Sequence, residues 1–392
     1  MDLYESRYFI INKSLCSIIG LWPYDSILKR HTRKIFPALW VFAFIVPHGI
    51  GAVVNQDDID RFMEHICLII FLFLIFVKYI TAVLTEGKMI LVFNDIVDNM
   101  EYITDAEEKK ILEHYSERGR YVTLVYLFYI LNVGVCFTLL PLMPLLWNML
   151  HPDAEPYPRL FLMNGEFLVN RENHYWKIYI WDLLTTFIPG FIVIGVDTTF
   201  AACVEHCVGV FEVNRKRLES IVQSDDQTTT DSVDSDAAYS RVCDIVRLHQ
   251  RAIRFTDTLE NAYSQCFLIL MLGNMLLMPL LCVMIIMNNN RKIHLIRYAI
   301  LYTGCAFHLF YISLAGQRII DYSSNLFYYA YNNEWYTTSS KTKNILRLFM
   351  IRCTDPCMLT AGKLMNMSME TFYSVMKTAV SYITVISSFR AG

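Results

Sequence analysis

Hydrophobic positions in this chain gather into long runs that exclude charge, rather than alternating with polar residues. Residues 36–54, 121–150, 261–290 and 298–317 contain no Asp, Glu, Lys or Arg. The run 66–84 holds only Lys78, 178–196 only Asp182, and 371–389 only Lys377. Crossing a hydrocarbon core about 30 Å thick takes about 20 helical residues. The pattern therefore predicts an all-α integral membrane protein with seven membrane-crossing helices, one per run.

Between spans the periodicity changes. After the fourth run, Val204, Val208, Phe211, Leu218 and Ile221 keep helical spacing among charges. Before the fifth, Val242, Ile245, Leu248, Ala252, Phe255 and Leu259 recur every three or four residues. An apolar stripe at that period wants a partner, so both spans are expected to continue as a packed helical bundle outside the membrane. Residues 223–238 between them are acidic and rich in Ser and Thr with no Phe or Trp, the composition of a mobile loop. At the N-terminus, the apolar segment 8–19 ends at Gly20-Leu21-Trp22-Pro23 and is expected to lie in the inner membrane interface. The loop 151–175 carries Pro152, Pro156, Pro158 and His174, and either caps a cavity or simply connects two spans.

Charge sets the orientation. Twenty-four Lys and Arg fall on the N-terminal side of the alternating loops against eight on the other. The positive-inside rule then puts the N-terminus in the cytoplasm and the C-terminus, after seven spans, outside. The first span follows Lys29, Arg30, Arg33 and Lys34 without a small-residue cleavage site, so it reads as a signal anchor. A G-protein-coupled receptor has the opposite orientation. Its usual cysteine pair is also missing, since the loop 151–175 has no Cys. All eleven cysteines fall in helices or on the cytoplasmic side, where a disulfide framework is not expected.

Chemistry of other kinds finds little support. The net charge of −3 comes with no basic patch interleaved with aromatics, so no nucleic-acid surface is expected. Cys353 with Cys357, and Cys203 with Glu205, His206 and Cys207, lack the second matching pair that a structural zinc site needs. Asn12-Lys13-Ser14 and Asn366-Met367-Ser368 match a glycosylation acceptor but lie on the cytoplasmic side. With no phosphate loop, HExxH helix or nucleophile elbow, the chain is not expected to be an enzyme, and no cofactor is implied.

Specific residues from the fourth span onward carry a family likeness. Asp197-Thr198-x-Phe200 is followed by His206. His308-Leu309-Phe310-Tyr311 leads to Gly316, Ser323 and Tyr331-x-x-x-Trp335-Tyr336. Arg352-x-x-x-Pro356 and Ala361-Gly362 precede Ser368-Met369-Glu370-x-Phe372-x-Ser374-Val375 and then Ser381-Tyr382. This ordered string resembles the insect odorant receptors, and the Gly-Leu-Trp-Pro near the N-terminus agrees with it. Between residues 25 and 176 the likeness is mostly one of hydropathy and length.

The resemblance implies an odorant-gated, non-selective cation channel in the plasma membrane of sensory neurons, embedded in lipid. Its partners would be a volatile small molecule and a shared odorant co-receptor, assembled as a heterotetramer. The co-receptor's long insertion between the fourth and fifth spans has no counterpart in 223–238, so the chain resembles a ligand-tuning subunit. The implied organisation is a cytoplasmic N-terminal segment with an interfacial helix over 1–34, then a ligand-binding transmembrane part with its extensions over 35–336. A cytoplasmic anchor helix and loop would occupy 337–365, and a pore helix with the extracellular C-terminus 366–392. The alternatives are a gustatory-type receptor channel, which would work without the co-receptor, and less readily a G-protein-coupled receptor. A transporter lacks its inverted repeat.

A volatile ligand needs a concave apolar pocket with few polar groups. The outer halves of spans two, three, four and six supply the candidates Ile70 and Phe73, Gly134 and Thr138, Tyr179, Leu183 and Thr186, and Tyr298 and Tyr302. Tyr298 and Tyr302 share a helix face, and the resemblance places paired tyrosines of this span in the pocket of some relatives. Among 24 Tyr and 25 Phe, however, such a pair also suits plain packing or an interfacial belt. Asp182 either reaches the aqueous mouth or meets Lys177. On the last helix Lys377, Ser381, Val385, Ser388 and Phe389 fall on one side. The resemblance assigns the gate to Val385 and Phe389, while periodicity alone also allows both to pack against neighbours. Lys377 either faces the cytoplasmic vestibule or pairs with Glu370.

Overall fold

Apolar runs of this length satisfy every backbone N–H and C=O within one segment, without water, by becoming helical, and the chain folds accordingly. The computed structural model describes residues 6–223, 233–288 and 291–391, with side chains described except at 222–223, 233–237 and 383–391. Its helices are α1 (Ile10–Ile18), α2 (Ile27–Val54), α3 (Ile59–Leu84), α4 (Glu86–Tyr102), α5 (Ala106–Leu139) and α6 (Leu142–Leu150). They continue with α7 (Tyr175–Gln223), α8 (Val233–Met287), α9 (Lys292–Asn332), α10 (Ser340–Cys353) and α11 (Met369–Ala391). Antiparallel β1 (Thr360–Ala361) and β2 (Met365–Asn366) form a small hairpin between α10 and α11.

Among the described residues, six helices are long and apolar enough to cross a membrane: α2, α3, α5, α7, α8 and α9. The seventh expected span coincides with α11, a helix of 23 residues. α7 and α8 run for 49 and 55 residues without interruption. At about 1.5 Å per residue each exceeds 70 Å, more than twice a hydrocarbon core. The stripes expected to partner one another do so: from Val204 to Ile221 on α7 and from Val242 to Leu259 on α8, none of the named positions is more than 2% exposed. Charged pairs tie neighbouring helices to this long-helix end. Arg217 on α7 makes two bonds of 2.8 and 2.7 Å to Glu108 of α5, and Arg318 of α9 meets Glu205 of α7 at 2.8 Å.

Three local expectations change. The charge-free run 121–150 is two helices, because Pro141 has no N–H to continue the ladder and so starts α6 afresh. Residues 233–238 of the expected loop are the first turns of α8. The loop's remaining residues, 224–232, lie outside the described ones. α4 was not foreseen, although Val92, Phe93, Ile96 and Asn99 already had helical spacing and are all buried. The N-terminal helix α1 packs with one side against the bundle. Its buried Asn12 donates to Thr198 at 3.0 Å, and Cys16 lies 3.2 Å from the Thr199 hydroxyl. Gly20, at φ +74°, makes the turn that buries Trp22 against Phe93. All eleven cysteines are free thiols.

The hairpin joins the end of α10 to α11. Its turn places Gly362 and Lys363 at φ +61° and +59°, and Gly362 N–H donates to Ser264 O of α8 at 3.0 Å. α9 passes so close that a Cβ at Gly316 would collide with the Met367 backbone. Gln317 Oε1 accepts the Met369 N–H at 3.1 Å where α11 begins.

Candidate functional site

The site is a cavity of about 170 Å³ between α3, α5, α7, α8 and α9, reached also by Phe44 of α2 and Met163 of the loop between α6 and α7. One water needs about 10–15 Å³ of such volume, so there is room for a molecule of roughly ten to fifteen non-hydrogen atoms. Its walls are aliphatic and aromatic, including Leu68, Phe71, Ile130, Phe137, Phe187 and Leu301. Gly134 opens the α5 wall: a Cβ there would stand 3.4 Å from the Phe187 ring.

The end of the cavity nearer the long-helix extensions is ionic. Lys78 Nζ donates to Asp197 Oδ1 and Oδ2 at 2.6 and 2.8 Å and lies 2.7 Å from His308 Nε2. Tyr126 donates its hydroxyl to Asp197 at 2.7 Å. Lys78 and Asp197 are each 2% exposed, and the charges of α3 and α7 neutralise each other where water does not reach. Lys78 and His308 both line the cavity. From His308 the α9 aromatics lead outward: Phe307 packs against Tyr129 with tilted rings 3.7 Å apart, and Phe310 meets Phe372 of α11 edge-on at 5.6 Å.

At the opposite end the loop 151–174 reaches the cavity through Met163, as the capping alternative expected of part of it. Leu162 and Met163 are buried. Met163 N–H donates to Asp182 Oδ2 at 3.2 Å, so Asp182 is partnered by this loop and not by Lys177. Arg297 of α9 binds Glu64 of α3 at 3.0 Å and Phe161 O at 2.7 Å. Asn164 donates to both Glu64 oxygens at 2.9 Å. Burial lowers the Arg171 guanidinium from its ordinary value, with Glu166, Asp182 and Glu64 opposing the shift.

Of the ligand residues expected from sequence, Gly134 and Thr186 line this cavity, and Tyr298 lines a small adjoining void of about 10 Å³. Ile70, Phe73, Thr138, Tyr179, Leu183 and Tyr302 lie off its lining. Phe73 points outward at 50% exposed, and Tyr179 bonds to Thr138 O at 2.9 Å, closing the seam between α5 and α7. On α11, Lys377 and Ser381 are exposed in the protomer and adjacent, the Ser381 hydroxyl donating to Lys377 O at 2.9 Å. Among the described residues Lys377 forms no ion pair, with Glu370 or any other acid. The side chains of Val385, Ser388 and Phe389 lie outside the described residues.

Such a chamber, apolar with a few polar groups and set within a helical bundle, suits binding of a small molecule. A family model described as "7tm Odorant receptor" matches residues 58–380. The chain belongs to that family, the insect odorant receptors. This receptor is 21% identical to Odorant receptor 13a of Drosophila melanogaster, over 98% of its own length and 96% of that protein. It is 22% identical to Odorant receptor 10 of Aedes albopictus over 72% of each chain. The Drosophila melanogaster odorant receptor coreceptor matches only 37% of the receptor at 24% identity. Its fold is that of the olfactory receptor OR5 of Machilis hrabei, solved in complex with eugenol, with TM-score 0.78, 13% identity and 97% of both chains covered. The receptor is thus a multi-pass membrane protein of a receptor family and not of an enzyme family.

Sequence reasoning missed Phe44, Met163, Phe187 and Asn274 of the cavity wall and the pairing at its ionic end. The clue to that pairing was present. Lys78 is the lone charge of its span and Asp197 follows the fourth apolar run directly, and isolated opposite charges at membrane depth normally find one another.

Proposed function

We propose that this receptor is the ligand-tuning subunit of an odorant-gated, non-selective cation channel in the plasma membrane of sensory neurons. The observation that carries the proposal is the apolar cavity between α3, α5, α7, α8 and α9 in a chain of this family. A volatile molecule of the size class of eugenol, found in the complex of the structurally similar OR5, matches its volume. The N-terminus and the extensions of α7 to α10 are cytoplasmic, and the capped end of the cavity faces outside. The channel assembles with the odorant coreceptor as a heterotetramer. Exposed Leu348 and Ile351 on α10 and Tyr373, Val380 and Tyr382 on α11 support burial in such an assembly. α11 lines the pore, with Lys377, Ser381 and Ser388 on its polar side and the gate at Val385 and Phe389, where an apolar ring closes by dewetting.

The test is current recording from cells expressing the receptor with and without the coreceptor across an odorant panel. Odorant-evoked cation current with the coreceptor is expected. No current under either condition refutes the reading. Single cysteines at 385 and 389 should react with pore-permeant thiol reagents in open channels, and complete protection at both refutes the gate assignment.

A further inference from the structure

Resting on that reading, we propose that the cavity selects neutral ligands carrying a hydrogen-bond acceptor such as a carbonyl, and that His308 is the residue that receives it. The assignment follows from the protons at the ionic end. Two groups meet His308 Nε2, Lys78 Nζ at 2.7 Å and Asp197 Oδ2 at 3.1 Å; the nearer ammonium can only donate, and Nε2 is assigned as its acceptor. A proton on Nε2 would set two donors face to face. That assignment puts the imidazole proton on Nδ1, for which no hydrogen bond is found among the described residues. The His308 side chain is 14% exposed, while Lys78 and Asp197 are 2% exposed, so of the two that line the cavity, Lys78 and His308, the ring is the more open to it.

The other polar groups of the cavity leave one further donor. Thr185 and Thr186 spend their hydroxyl protons on the backbone oxygens of Trp181 and Asp182. Asn274 on α8 uses one amide proton on Leu270 O at 2.8 Å and keeps the second. A carbonyl oxygen has two lone pairs and no proton, so it complements both His308 and Asn274. A hydrocarbon of the same shape leaves dry donors behind, which costs binding more than a missing methylene does. An anion fares badly for a different reason. The ammonium of Lys78 is already neutralised by Asp197, so a carboxylate would enter an apolar chamber without a free countercharge.

The experiment records odorant-evoked current from the receptor expressed with the coreceptor. The panel includes carbonyl compounds paired with methylene isosteres, beginning with acetophenone against α-methylstyrene and cyclohexanone against methylenecyclohexane, plus benzoate. The best agonist is expected to be neutral and to carry an acceptor, with a half-maximal concentration on the order of tenfold below that of its isostere, about 1.4 kcal/mol. His308→Gln keeps an acceptor near Nε2 for Lys78 and removes the donor at Nδ1. Asn274→Leu removes the α8 donor at nearly constant shape. Each should compress the carbonyl-to-isostere ratio to within about threefold, measured at matched surface abundance. The wild-type pairs decide the matter even where a variant fails to reach the surface. A hydrocarbon or an acid as best agonist, equal potency within the pairs, or an undiminished ratio in both variants overturns the proposal while leaving the channel reading standing. Silence across the whole panel overturns the channel reading instead.

Discussion

The Lys78–Asp197 pair offers the sharpest test of how the bundle is held together. Asp197→Asn preserves shape and removes one charge. It leaves a 2%-exposed ammonium facing a neutral amide and a neutral imidazole, with bonds that now measure 2.6, 2.8 and 2.7 Å. Stranding one partner of a buried ion pair typically costs about 3–5 kcal/mol, whereas replacing both by neutral groups of similar volume is often close to neutral. Lys78→Met should therefore destabilise by a similar amount, and the double variant Lys78→Met with Asp197→Asn by distinctly less than the two combined. Tyr126 can still donate to the Asn oxygen in that double variant, so the bond at 2.7 Å survives in kind. A coupling of at least about 2 kcal/mol is expected, well beyond the roughly 0.5 kcal/mol scatter of independent sites. Fluorescence-detected size exclusion of the tagged receptor after graded heating, with surface abundance alongside, measures it. Additive losses, or wild-type thermal midpoints in both single variants, would refute the reasoning.

Three further outcomes follow from the same geometry. Glu64→Ala should cost about 3–5 kcal/mol by leaving Arg297 buried without its acid, and should speed odorant washout because Asn164 loses its anchor; unchanged off-rates in a well-expressed variant would contradict the capping role. Gly134→Phe should fill the cavity beside Phe187 and raise half-maximal odorant concentrations at least tenfold without altering ion selectivity, both read from dose–response and reversal-potential recordings. Gly316→Val should lower thermal stability by about 1–3 kcal/mol through overpacking against the Met367 backbone, and a midpoint equal to wild type would show that α9 and the hairpin can separate freely.

Much of the architecture was legible because two physical demands write themselves into sequence. Membrane-crossing helices must exclude charge, which located α2, α3, α5, α7, α8 and α9. The stripes on α7 and α8 beyond the charge-free runs stood out because charged residues surround them, and their positions are buried as the spacing implied. Inside the membrane-length segments the same reasoning lost its grip. Lipid is as apolar as a protein interior, so an apolar residue there can face lipid, a neighbour or a cavity with equal propriety. Phe73 turned outward, Tyr179 closed a seam and Gly134 opened the cavity, all from equally hydrophobic surroundings.

By itself, then, the sequence determined the helical class, the placement of the long extensions and the family, since each depends on composition and spacing along one chain. Only the tertiary structure decided which residues meet across it. Lys78 and Asp197 stand 119 positions apart, and Glu64 and Arg297 stand 233 apart. Neither separation carries a period that a linear pattern could reveal. Charge neutrality at membrane depth says that such partners should exist. Their identities, and the shape of the space left between five helices, depend on how those helices cross.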